Sequence, residues 1–384
     1  MRTWAEINLD ALSSNYRQIR QHINADAKIM AIVKADAYGH GFLEVARTLE
    51  QEGVDAFAVA LIEEGLQLRR SGFSQPILIL GSIPEEHYAA AVQNGISLTV
   101  FSIEAARKIS RIASALGKTA KIHIKLDTGM SRIGYVIDEN NDAVIDEILK
   151  IAALDSIKLE GVFSHFSTAD EYDKSYTYLQ FKRFTDICEK LRENGLTDII
   201  RHISNSAAIM MYPEMHLDMV RPGIILYGLY PSDEVDRSVL RLTPVMTLKA
   251  KITHIKTLPA GRGISYGNEY ITDGDTRVAT VPIGYADGYV RAIAKCGKIL
   301  AGGKKVRILG RICMDQCMID VTNVHNINVG DEVILFSDKE ILADDVARWM
   351  GSINYEVVCL VSKRIPRIYI KNGEAVRELN FLKN

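Results

Sequence analysis

The sequence predicts an α/β barrel of eight parallel strands followed by a mainly β-strand domain. Three observations carry this. Short β-branched apolar runs recur eight times in the first part of the chain, segments with helical spacing separate them, and after about Tyr230 strands and glycine-rich turns take over. Strand and helix alternating over roughly 230 residues is the pattern of a (β/α)8 barrel. A doubly wound sheet is the competing architecture.

The first strand is read from KIMAIVKADAYGHG, Lys28 to Gly41. Ile29 to Val33 is short and apolar enough to be buried on both faces, as strands of parallel sheets are, so Lys34 stands at a strand end. The others are AFAVALI from Ala56, PILILGS from Pro76, SLTVFS from Ser97, KIHIKLDTG from Lys121, LEGVFSHFS from Leu159, IIRHISNS from Ile199 and MVRPGIILYGL from Met219. Helical spacing marks DALSSNYRQIRQHI, FLEVARTLEQEG and SIEAARKISRIASALG, and glycine closes the last two as it closes many helices. The polar PSDEVD, Pro231 to Asp236, is the expected junction. Beyond it TPVMTLKAKITHIKTL, RVATVPIGY, KVRILGRICMDQCMIDVT and DEVILFS read as strands with few helices between them.

At 384 residues the chain is long enough for a barrel with a second domain, and a hydrophobic fraction of 47% fills both. A net charge of −2 supplies no field to recruit nucleic acid or an anionic membrane, so small-molecule chemistry is expected. No stretch stays apolar for the roughly 20 residues a membrane helix needs. The start, MRTWAEINLD, lacks the apolar core of a signal peptide. Cys188, Cys296, Cys313, Cys317 and Cys359 are an odd, scattered set, which fits a reducing cytoplasm.

Strand ends then bring chemistry together. Lys34 follows the first strand, Lys125 and Asp127 the fifth, His165 the sixth, Asn205 and Ser206 the seventh, and Arg221 and Gly223 the eighth. In a barrel these ends share one face, with a phosphate site commonly formed after strands seven and eight. Ser206 offers a hydroxyl, and Gly223 and Ile224 offer backbone N–H groups that can approach an anion closely. A phosphate site beside a strand-end lysine suggests pyridoxal 5′-phosphate, whose aldehyde takes an amine as a Schiff base. Arg221 facing the ring nitrogen would keep that nitrogen unprotonated, with His165 as its orienting partner. Singly, each residue has a plainer reading: Lys34 as a solvated lysine, His165 as a hydrogen-bonded rim histidine, Arg221 paired with Asp218. The agreement of five strand ends carries the joint reading.

Other motifs fail. LGKT, Leu116 to Thr119, lacks the P-loop's earlier glycine, because Ile112 stands there. GRGISYG, from Gly261, has the wrong glycine spacing for a dinucleotide fingerprint and reads as a turn. Cys313 and Cys317 have no second pair at metal spacing, so no metal is expected.

VKADAYGHG, KLDTGMSRIG, FSHFSTAD, HISNSAA, VRPGIILYG, ISYG, PIGYADGY, GRICMDQ and INYE occur in this order, and over essentially its whole length the chain resembles the bacterial alanine racemases. The resemblance implies a pyridoxal phosphate enzyme of fold type III and a homodimer with shared active sites. It implies a first strand at residues 1–10 belonging to the β domain, the barrel at 11–235 and the β domain at 236–384. Lys34 would bind the cofactor, with Tyr38, Tyr355, Ser206, Gly223 and Ile224 holding the phosphate and Asn205 beside them. Arg132 would meet the phenolic oxygen and the substrate carboxylate, and the Met314 backbone that carboxylate too. Tyr266, reaching in from the partner chain, would be the second base beside Lys34, because racemisation needs a proton carrier on each face of a planar carbanion. Lys125, carbamylated in some relatives, would orient Arg132, while Tyr285, Asp315 and Cys313 would shape the entrance. The implied reaction interconverts L- and D-alanine, supplying D-alanine for peptidoglycan. The alternatives are another small amino-acid racemase, a fold-type III decarboxylase, and a noncatalytic pyridoxal phosphate carrier, which would need no second domain.

Overall fold

The computed structural model describes residues 1–383. Eight parallel strands close a ring: Lys28–Ile32, Ala56–Val59, Ile77–Ile79, Leu98–Val100, Ala120–Asp127, Ile157–Phe163, Ile200–His202 and Met219–Val220. Met219 pairs with Lys28, Met30 with Ala56, Phe57 with Ile77, Leu98 with Ile122, Ala120 with Ile157 and Gly161 with Ile200. An isolated parallel bridge, Leu78 to Ser97, and the bond from the Arg221 amide to Ser204 O at 3.0 Å span the two remaining seams. Ala56–Val59 and Ile77–Ile79 are buried throughout, since the barrel interior covers one face and the helices the other.

Local capping starts the helices where the side chains predict. Asn8 Oδ1 accepts the Ala11 amide at 3.0 Å and begins Leu9–His22, whose Leu12, Tyr16 and Ile19 turn one face inward. Ser102 Oγ does the same for Ile103–Ala115 through the Ala105 amide at 3.2 Å.

Thr3–Asn8 belongs to a seven-stranded sheet built otherwise from late parts of the chain; it runs antiparallel to Met246–Lys251 and parallel to Arg367–Lys371. A three-stranded sheet, His254–Leu258, Thr276–Val281 and Cys317–Asp320, and a two-stranded one, Gly263–Ile264 with Tyr270–Ile271, make up the rest of the β part.

The structure departs from the sequence reading in three places. MVRPGIILYGL is a strand only at Met219–Val220, because Pro222 has no N–H to give a ladder and Ile224–Tyr227 winds into a 3-10 turn. TPVMTLKAKITHIKTL divides at Ile252 into two strands of different sheets, and KVRILGRICMDQCMIDVT is broken by the loop between Arg307 and Cys317. Two helices, Ala343–Met350 and Asn354–Leu360, stand in the β-rich part. Among the described residues no helix is long and apolar enough to cross a membrane.

Candidate active site

Just after the first barrel strand the backbone turns the wrong way. Ala35, Asp36, Ala37 and Tyr38 all have φ between +53° and +55°, a left-handed turn made without glycine. Such a conformation costs roughly 1–2 kcal/mol per residue, so its surroundings must hold it. They do: Glu64 Oε1 accepts the Ala35 amide at 2.7 Å, Asp36 Oδ1 accepts the Phe42 amide at 3.0 Å, and buried Arg367 donates to Gly39 O at 2.9 and 3.0 Å. The turn puts Lys34 and Tyr38 on the wall of one cavity.

That cavity, about 790 Å³, lies at the C-terminal mouth of the barrel. Lys34, Tyr38, Lys125, Arg132, His165, Asn205, Ser206, Arg221, Gly223, Ile224 and Tyr355 all line it. Eleven of the seventeen candidates read from the sequence therefore share one space. Asp127 is not in its wall; its Oδ1 accepts the amides of Gly129 at 3.1 Å and Ser131 at 2.9 Å and so shapes the loop that carries Arg132.

Arg221 is buried, and both terminal nitrogens of its guanidinium are engaged. Its guanidinium donates to the carbonyls of His202, Ser164 and Ile203 at 2.8, 2.7 and 3.0 Å, to His202 Nδ1 at 3.0 Å and to His165 Nδ1 at 3.2 Å. It does not pair with Asp218, which instead takes a bidentate bond from Arg201 at 2.8 Å. Burial, with Arg132 nearby, lowers Arg221 to about 9, still a cation at neutral pH. Burial and then the Arg221 charge hold His165 well below the ordinary histidine range, so it is neutral.

The two lysines are held toward the free amine. Burial, then Arg132, lowers Lys34. Burial, then Arg221, lowers Lys125 to about 7, and its Nζ donates to Leu126 O at 2.6 Å. A free amine is the nucleophilic form.

Opposite Lys34 the wall is a cradle. Ser206 Oγ accepts the Gly223 amide at 2.9 Å, and a Cβ placed on Gly223 would stand 2.7 Å from Tyr38 Oη and 3.7 Å from Ser206 Oγ. Glycine thus leaves open a space rimmed by hydroxyls and amides, which suits a phosphate. Asn205 Oδ1 caps the short helix that begins at Ser206 by accepting the Ala208 amide at 3.0 Å. Amine, cradle and guanidinium match the aldehyde, phosphate and ring nitrogen of pyridoxal phosphate.

The remaining candidates lie elsewhere, clustered on the β part and facing outward. Tyr266 is 70% exposed, Met314 53% and Tyr285 42%. The Tyr285 and Ala286 amides donate to Cys313 O at 3.1 Å and Met314 O at 3.0 Å, Ser265 Oγ meets Cys313 Sγ at 3.4 Å, and Arg364 donates to Asp315 Oδ1 at 2.7 Å. A Cβ on Gly284 would stand 2.3 Å from the Cys313 and Met314 carbonyls, so glycine permits this clasp. Within one chain Tyr266 does not line the cavity of Lys34.

Sequence reasoning missed His202, His123 and Cys359. Cys359 lies one helical turn after Tyr355, on the cavity wall. His123 has the strand parity of Lys125, which alternation could have flagged.

Among barrels that carry a β domain, one class sets a reactive amine at the mouth of the first strand: the pyridoxal phosphate enzymes of fold type III. Fold and site together define that class here. Residues 7–231 match the family described as alanine racemase, N-terminal domain, and residues 245–369 match alanine racemase, C-terminal domain. The chain is 50% identical over 367 residues to the alanine racemase of Desulforamulus reducens, covering 96% of this chain and 98% of that one. It is 48% identical over 370 residues to the alanine racemase of Methanococcus maripaludis, with 96% and 98% covered. The solved alanine racemase of Clostridium difficile 630 superposes with a TM-score of 0.96 at 49% identity, covering 100% of this chain and 99% of that one. That of Bacillus anthracis, with bound L-Ala-P, superposes at 0.92 and 38% identity, covering 100% and 98%. The chain belongs to the alanine racemase family.

Proposed function

We propose that the chain interconverts L- and D-alanine, with pyridoxal 5′-phosphate held in the barrel cavity. The observation that carries this is the meeting, in one space, of a left-handed turn presenting Lys34, a hydroxyl and amide cradle at Ser206 and Gly223, and a buried Arg221. Bound there, the cofactor supplies an electron-withdrawing system that acidifies the substrate's α-hydrogen.

The chain's own groups then divide the work. Tyr38, Tyr355, Ser206, Gly223 and Ile224 hold the phosphate, with Asn205 keeping the Ser206 segment in place. Arg221 faces the ring nitrogen as a pure hydrogen donor, with His165 against it. Arg132 and the Met314 backbone bind the substrate carboxylate. Lys34 moves a proton at the α-carbon on one face. Tyr266 serves the other face from a second copy of the chain, which accounts for its exposure beside Met314 and Tyr285 and makes the working unit a homodimer. Cys313 and Asp315 hold that exposed clasp, and Tyr285 narrows the entrance. Lys125, a ready nucleophile for carbon dioxide, becomes a carbamate that orients Arg132. The five free thiols, two of them exposed, fit a reducing compartment.

The test is to incubate the purified chain and pyridoxal phosphate with L-alanine in deuterium oxide, following optical inversion and α-deuteration together. Inversion with deuterium uptake is expected, and Lys34→Ala should abolish both. No inversion by the intact protein, inversion by the variant, or release of carbon dioxide would overturn the assignment.

A further inference from the structure

Below Arg221, on the side of the barrel core, two histidines continue its hydrogen bonding. His202 Nδ1 lies 3.0 Å from Arg221 Nη1, and His202 Nε2 lies 2.9 Å from His123 Nδ1. Both rings are buried, His123 at 4% exposure and His202 at 0%. Phe163 stacks on His202 with centroids 4.9 Å apart and planes 5° apart, which fixes that ring. Gly161 faces His123 across the ladder, and a Cβ there would stand 2.5 Å from His123 Nδ1. Glycine at that position admits the imidazole.

The order of protons follows from one fact: a guanidinium has only hydrogens to give. His202 Nδ1 must therefore accept, which puts the His202 proton on Nε2. That N–H points at His123 Nδ1, which must accept in turn, so the His123 proton is on its Nε2. We propose that His123 is a positioning residue for Arg221, acting through His202 in a one-way hydrogen-bond chain that fixes the guanidinium plane in the cavity. Burial pulls His123 down to about 4 and His202 well below the ordinary histidine range, so both rings stay neutral and the order is kept. A proton on His123 Nδ1 would set donor against donor.

This rests on the reading of Arg221 as the ring-nitrogen partner, yet part of its test needs no catalysis. Nitrogen-15 NMR of the imidazoles in the full chain, with and without pyridoxal phosphate, should show His202 and His123 neutral and protonated at Nε2 in both states. An Nδ1–H form of either ring, or a charged one at neutral pH, overturns the chain even if alanine is racemised. His123→Leu removes the last acceptor, while His123→Asn keeps an oxygen near the place of Nδ1. Losing one buried acceptor should weaken pyridoxal phosphate binding about tenfold, shift the bound cofactor's absorption band and lower kcat with KM for alanine within about twofold. His123→Asn should recover most of the binding and the band. If the leucine variant keeps wild-type affinity, band and kcat, or if both variants lose them equally, His123 does not position Arg221. If His123→Leu does not fold, the NMR of the unaltered chain and the asparagine variant still decide.

Discussion

Glu64, from the unit of the second barrel strand, accepts the amide of Ala35, the residue after Lys34, at 2.7 Å. Its other oxygen takes the amides of Ala60 and Leu61 at 2.9 and 3.1 Å, so one carboxylate ties the left-handed turn to the neighbouring loop. Glu64→Ala should cost about 1–2 kcal/mol, since the lost bonds are charge-assisted and the one from Ala60 is partly buried, and Glu64→Gln about half of that. Chemical denaturation measures the loss, and borohydride trapping of pyridoxal phosphate on Lys34 should slow in parallel. Unaltered trapping in Glu64→Ala would mean that the turn holds without this anchor.

Gly223→Ala should spare the fold and damage the cradle. The new Cβ meets Tyr38 Oη at 2.7 Å, the far end of a side chain on the cavity wall. Pyridoxal phosphate affinity should fall tenfold or more, on the order of 1.4 kcal/mol, with circular dichroism unchanged. Equal affinity in a titration of the apoprotein would remove Gly223 from the phosphate site.

Lys125 makes stability depend on pH. Its folded pKa, about 7, lies below the ordinary lysine value of 10.5, so the unfolded chain binds more protons between them. Stability therefore rises with pH from about 7 toward 10.5, and the full penalty is present below that window. Lys125→Met should lack this part of the slope in urea unfolding series. The same free amine should take up carbon dioxide: carbon-13 bicarbonate should give a carbamate signal that Lys125→Met loses, and an unlabelled wild-type protein would exclude the modification.

Two dead variants should rescue each other. Lys34→Ala spoils the barrel site, and Tyr266→Phe spoils what a chain lends outward. A mixed dimer holds one site with both changes and one with neither, so random co-assembly should restore about a quarter of the wild-type rate. Absence of rescue, with mixed dimers verified by mass, would place Tyr266 in the site of its own chain. Taken alone, Tyr266→Phe should slow proton removal from one enantiomer far more than from the other.

The strand-end residues were legible because a parallel barrel turns sequence order into a ring: once strands are counted, Lys34, His165 and Arg221 must face one mouth. The handedness of the turn at Ala35 to Tyr38 was not. KADAY is made of residues at home in an ordinary helix, and only tertiary contacts from Glu64 and Arg367 reverse it. Arg221 could not be parted from Asp218 by sequence either, since Arg201 outcompetes it through a pairing set by barrel register. The helix carrying Tyr355 was overlooked because Ile353 to Glu356 is a short motif inside a strand-rich stretch. The outward clasp of Tyr266 and Met314 could be expected only from resemblance, because one chain's pattern carries no sign of what a second copy receives.

The seven-stranded sheet has a consequence for how the chain is made. Thr3–Asn8 finds its partners only at Met246–Lys251 and Arg367–Lys371. At ordinary ribosomal speeds the wait is roughly 20–70 s, during which a bare strand edge hangs from a half-built polypeptide. Arg367, which also clamps Gly39, comes just as late. The lysine turn is therefore set only once translation has passed Arg367, so a nascent barrel has no finished site and needs shielding from its neighbours on the polysome until then.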